Sequence, residues 1–157
     1  MLEAAQALYG GAGDLLRVVQ GSYTDQVVGS FGTHAGGGAV DISIRDPKHP
    51  EVRLFDDVEA MVHALRLAGF AAWYRAQDEV FPESVPHIHA IAIGDPELSS
   101  AAHEQLTGTA GYFRGFNGLP VIPPGVDRHG GPVVCGWMSE FGYRDLQSEG
   151  SSSPTPY

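Results

Sequence analysis

Thr33-His34-Ala35-Gly36-Gly37-Gly38-Ala39-Val40-Asp41-Ile42-Ser43-Ile44 joins a glycine turn to a strand. From residue 39 onward the side chains alternate. Val40, Ile42 and Ile44 share one face, and Asp41 and Ser43 share the other, the period-two signature of a strand with one face on a core. The Gly36–Gly38 run permits positive φ, so the chain can fold back and bring His34 beside Asp41. Downstream, His87-Ile88-His89 places two imidazoles on one face of a second strand. His34, Asp41 and one of His87 or His89 are a donor set for a three-ligand zinc site with one open position. The remaining His would be free to handle a proton.

The surrounding sequence frames these strands. Residues 2–9 suit a short helix ended by Gly10-Gly11, and residues 15–20 form an apolar run of strand length. The strand at 39–44 ends at Asp46-Pro47. A helix is predicted over 56–68, capped by Asp56 or Asp57, with Val58, Met61, Val62, Leu65 and Ala68 along one face and Gly69 as its stop. Strands are predicted at 70–75 and 88–93, and another helix opens at Pro96-Glu97-Leu98-Ser99 and runs to about Ala110. This order predicts an α+β fold: a small, mostly antiparallel sheet with helices packed on one face and the zinc site on the open face. The Gly-, Pro- and aromatic-rich stretch from 111 to 144 reads as a surface segment that could wall a cleft. Residues 1–147 read as one domain and 148–157, rich in Ser and Pro, as a linker-like disordered tail.

Composition narrows the partners. A chain of 157 residues is long enough for one core, and its net charge of −10 argues against nucleic acid and anionic membrane surfaces. No run approaches the roughly 18 apolar residues of a membrane span, and no basic-then-apolar leader opens the chain. Cys135 is alone, which fits synthesis in a reducing compartment. The expectation is a monomer. His49, His63, His103 and His129 read as structural or exposed, and Trp73 and Trp137 as packing residues.

His34-x-x-Gly37-x-Ala39-x-Asp41 together with His87-x-His89 resembles the paired signatures of the zinc peptidases that include D-alanyl-D-alanine carboxypeptidases and many phage endolysins, the M15 peptidases. The resemblance spans about residues 15–95. It implies one zinc ion per chain held by His34, Asp41 and His89, with His87 as the catalytic or transition-state-stabilising residue. It further implies hydrolysis of an amide bond in the stem peptide or cross-bridge of bacterial peptidoglycan, by an enzyme made in the cytoplasm and acting on the cell wall. Family members carry an Arg in the turn before the first His; the turn here, Gly21-Ser22-Tyr23-Thr24-Asp25, has none and adds an anion. That difference favours an endopeptidase over a D,D-carboxypeptidase, because a terminal carboxylate needs a cation to seat it. Tyr23 and Arg75 are the candidate substrate contacts, Arg75 as a replacement anchor or else a solvated strand-end cation. The rival is a non-catalytic wall-binding module with a structural zinc, for which all four side chains would bind the metal.

Overall fold

The computed structural model describes residues 1–24 and 30–150. The expected repulsive anion Asp25 and residues 151–157 of the expected tail lie outside the described residues. Four strands form one antiparallel sheet: β1 (Val18–Gln20), β2 (Ala39–Ser43), β3 (Phe70–Arg75) and β4 (His87–Ala92), in the spatial order β1-β2-β4-β3. Three helices accompany them: α1 (Leu2–Tyr9), α2 (Val58–Leu67) and α3 (Ser100–Thr107). The architecture is the expected α+β one. Among the described residues no helix is long and apolar enough to cross a membrane.

Strand alternation divides the sheet into two faces. Ile42, Ile44, Ile88, Ala90, Phe70 and Ala72 turn toward α1 and α2 and make one buried cluster with Met61, Val62 and Leu65 of α2. The α2 stripe is the one expected from its i, i+3, i+4 spacing. Its cap differs: Asp57 occupies the N-cap position without a side-chain capping bond, because its carboxylate accepts the Tyr9 hydroxyl instead. Helix α1 ends at Gly10 in the left-handed region, as the glycine pair requires.

The other face is open only in part. Ala39, Ala71, Trp73 and Ile91 are covered by Leu98, Ala102 and Leu106 around α3 and by Tyr112, Phe113 and Met138. The 111–144 segment is therefore not simply a surface wrap. Its aromatics fill a second core, while its backbone is satisfied locally; the Tyr112 hydroxyl, for example, accepts the Val133 N–H at 2.8 Å. Helix α3 begins later than expected, at Ser100, because the Ser99 hydroxyl caps it by accepting the Ala102 N–H at 3.1 Å. Ser148–Gly150, expected to open a linker, complete a 3-10 turn begun at Gln147.

Candidate metal centre

Sheet register brings the polar residues of this second face together in rows. Asp41 pairs with His89, which pairs with Trp73; in the next row Ser43 pairs with His87, which pairs with Arg75. Directly opposite residues in antiparallel strands have Cβ atoms roughly 4.5–5.5 Å apart, so two hydrogen-bonding patterns place a carboxylate, two imidazoles and a guanidinium in one patch. The first His arrives from outside the sheet. His34 lies in the 3-10 turn Thr33–Ala35, and its loop is clamped by the pairs Tyr23 N–Gly36 O at 3.0 Å and Thr24 N–His34 O at 2.8 Å.

The glycine run achieves this in two ways. Gly38 adopts φ +74°, the left-handed turn that the sequence suggested. Gly36 is extended, and its requirement is space: a Cβ there would overlap the Glu97 carbonyl oxygen and the Ser99 nitrogen. The loop thus lies against the start of α3, where the Ser99 hydroxyl also donates to Thr33 O at 3.0 Å.

His34, Asp41 and His89 are all buried, and their ligand atoms lie within 4.8 Å of one another. This is a group that can hold a metal ion. His34 Nε2 is 3.3 Å and His89 Nδ1 2.7 Å from the same atom, Asp41 Oδ1. The outward nitrogens are committed to acceptors: His34 Nδ1 donates to Gly21 O at 3.2 Å and His89 Nε2 to Gln105 Oε1 at 2.9 Å. In their neutral forms both rings therefore turn lone pairs toward one carboxylate oxygen. A divalent cation satisfies that arrangement, and otherwise only additional protons do. The donor chemistry, two imidazoles and a carboxylate, fits a borderline cation.

Burial alone would raise the Asp41 pKa; in the metal-free site, protons carried between the carboxylate and the His34 and His89 rings, with the charges of His89 and His87, outweigh it and hold the carboxyl well below the usual range. Burial lowers the His89 pKa despite the opposing pull of Asp41, which favours the neutral imidazole that metals bind.

His87 stands beside this group rather than in it. Its Nδ1 donates to Val85 O at 2.8 Å, which leaves Nε2 as a proton acceptor facing the site, 3.7 Å from Asp41 Oδ2. All four side chains line one pocket with Arg75, Gln105 and an apolar rim that includes Phe31, Phe81 and Leu119. Among the described residues, the group whose ligand atoms all lie within 4.8 Å of one another contains His34, Asp41 and His89 and not His87.

Of the two expected substrate contacts, one is brought in and the other is not. Tyr23 is 63% exposed, its hydroxyl donates to Glu97 Oε2 at 2.6 Å, and it does not line the metal pocket. Its hydroxyl oxygen lies beside Gly37, 3.1 Å from where a Cβ would stand there. Arg75 does line the pocket, and it is 2% exposed rather than solvated.

Two contributors were missed by sequence reasoning. Gln105 was hidden in α3, although a polar side chain on the same stripe as Ala102 and Leu106 is itself a signal. Trp73 does pack, as the sequence suggests, but on a residue of the candidate metal group. It stacks on His89 with centroids 6.1 Å apart, while its indole N–H donates to Phe116 O at 3.0 Å. Together they fix the His89 ring in position and tautomer.

Comparison of the chain with protein-family models, with curated proteins and with solved structures found no match in any of the three. The functional reading accordingly rests on the geometry of the site and on the spacing of its residues in the sequence.

Proposed function

We propose that this protein is a zinc-dependent peptidase that cleaves an amide bond in the peptide part of bacterial peptidoglycan. The observation that carries the reading is the convergence of His34 Nε2 and His89 Nδ1 on Asp41 Oδ1, with a third imidazole, that of His87, at its side. Three protein ligands and an open position are the pattern of hydrolytic rather than structural zinc. The resemblance of His34–Asp41 and His87–His89 to the paired peptidase signatures supplies the substrate class.

When bound, zinc supplies a Lewis acid and lowers the pKa of its water toward neutrality. The protein's own part is distinct. Gly21 O and Gln105 hold the His34 and His89 rings in the ligating tautomer. The Val85 carbonyl holds His87 with Nε2 free, so His87 can take a proton from the attacking water and pass it to the leaving amine. The apolar rim of the pocket limits water and strengthens each polar contact inside.

An internal bond is favoured over a terminal one by the shape of the surroundings. Two cavities of about 240 and 250 Å3 adjoin the metal pocket, each sharing lining residues with it and none with the other. A chain laid across the site would meet one of these cavities on either side of it. The test is product mass spectrometry on cross-linked peptidoglycan and on free pentapeptide stems, with the zinc-loaded protein. Release of cross-linked fragments, abolished by chelation and restored by zinc, is the expected result. Free D-Ala from the pentapeptide with cross-links intact would reassign the protein as a carboxypeptidase, and no cleavage of either would end the peptidase reading.

A further inference from the structure

Among the described residues, four buried side-chain polar atoms have no hydrogen-bond partner: Thr33 Oγ1, Ser84 Oγ and the two terminal nitrogens of Arg75. All four belong to the same line of cavities. Arg75 lines the metal pocket, Thr33 lines that pocket and the cavity beside α3, and Ser84 lines the cavity on the side of β1 and β2. Buried polar groups are nearly always paired. A fold that leaves them bare only along one groove is built for a ligand that brings hydrogen bonds with it.

Arg75 is the centre of this groove, and the contrast with Arg66 shows how unusual it is. Both guanidinium groups are buried. That of Arg66 makes five hydrogen bonds, to Ala72 O twice, His129 O, Gly131 O and Asp127. That of Arg75 lies 5.2 Å from the centre of the Trp73 ring and pairs with no carboxylate. The nearby Glu79 is occupied: one oxygen accepts the Ala76 N–H at 2.6 Å and the other an Arg128 nitrogen at 2.8 Å. The oxygens of Asp41 face the imidazoles. What remains is a flat cation with two free terminal nitrogens beside the metal ligands, the geometry that takes both oxygens of a carboxylate.

We propose that Arg75 seats a carboxylate carried by an extended, peptide-like substrate, whose backbone is hydrogen-bonded by Thr33 Oγ1 on one side of the metal pocket and Ser84 Oγ on the other. The proposal rests on the peptidase reading for the chemistry at the neighbouring metal. The seat itself is made of protein groups and can be tested by binding alone. The carboxylate has two possible sources, the end of the chain or a branch within it.

The experiment titrates alanine tetrapeptides, in the L and D series, into the purified protein with 15N-labelled arginine. Three forms are compared: a free C-terminal acid, its C-terminal amide, and an amide with one internal glutamate. The Arg75 Nε–H resonance is assigned from its disappearance in Arg75→Lys. One acid-bearing form should shift that resonance and bind about ten- to a hundredfold tighter than the neutral amide, the range expected of a charge-assisted pair. Preference for the terminal acid assigns the chain end, and preference for the glutamate form assigns a branch. Arg75→Gln should erase the preference, while Thr33→Val and Ser84→Ala should weaken all three forms alike. Equal binding of acid and neutral forms by the unmodified protein, a comparison that needs no variant to fold, overturns the proposal. So does a preference that survives in Arg75→Gln. Failure of the peptidase reading would look different: no zinc uptake or cleavage, with the acid preference intact.

Discussion

The two faces of the sheet are made from the same strands by alternate residues, yet they solve opposite problems. Toward α1 and α2, Ile42, Ile88 and Ala72 are fully buried among apolar neighbours and need only shape and volume. Next to them on the same strands, Asp41, His89 and Trp73 form a row in which each polar atom requires a named partner. Burying such a row is costly unless it is paired. The apolar face supplies the stability that makes this possible, and the α3 face supplies the partners. The site is a property of one face only, and substitutions on the two faces should therefore fail in different ways.

The largest effect is expected from Asp41→Ala. It removes the atom on which both imidazoles converge, and the protein should lose near-stoichiometric zinc, measured by elemental analysis after dialysis, together with all measurable wall hydrolysis. Unchanged zinc content would break the assignment of this row.

His87→Ala comes next. It should keep its zinc while losing about 10²- to 10⁴-fold in rate on purified walls, the usual worth of a positioned acid–base group. Loss of zinc instead would move His87 among the ligands and revive a closed, structural site.

On the opposite face, Leu65→Ala should cost about 2–5 kcal/mol in chemical denaturation, as for large-to-small changes in a packed core. Its zinc stoichiometry below the unfolding transition should be unaltered. A fall in metal affinity equal to that of a site variant would erase the distinction between the faces.

Gln105→Leu tests the partner supplied by α3. It leaves the His89 Nε2 proton without its acceptor, and zinc affinity measured by chelator competition should fall about 10- to 100-fold. An unaffected affinity would mean that Trp73 alone orients the ring.

The smallest effect is on acid stability of the metal-free protein. Both Asp41 and His89 have pKa values lowered by folding. The unfolded chain therefore binds more protons than the folded one in the window below each ordinary value, and stability falls as pH falls. For His89 the loss begins as pH drops through about 6.5, and for Asp41 as it drops below about 4. Thermal unfolding followed from pH 7.5 downward should show the melting temperature falling in this order. A melting temperature that rises on acidification would contradict both shifts.

Much of the fold could be read locally. Alternation from Ala39 to Ile44 identified the faces of β2, and the Val58–Leu65 spacing identified the buried stripe of α2. The signature spacing named His34, Asp41, His87 and His89 as one constellation. Each of these is a matter of residues a few positions apart, which backbone geometry ties together directly.

What lay beyond the sequence was decided by register and by long-range packing. That Asp41 faced His89 depended on a pairing 48 residues away: a slip of one residue would have set it opposite the apolar Ile88 or Ala90, and a slip of two opposite His87 or Ile91. Gln105 reached His89 only because Ser99 pins α3 to the metal loop. Tyr23, plausible by proximity in the chain, was turned outward to Glu97. Arg75 reads from the sequence more readily as a solvated strand-end cation than as a carboxylate anchor, because nothing in its chain neighbours reveals what covers it. Only the tertiary structure laid Gly118 and Leu119 over that end of β3 and left the guanidinium buried without a partner.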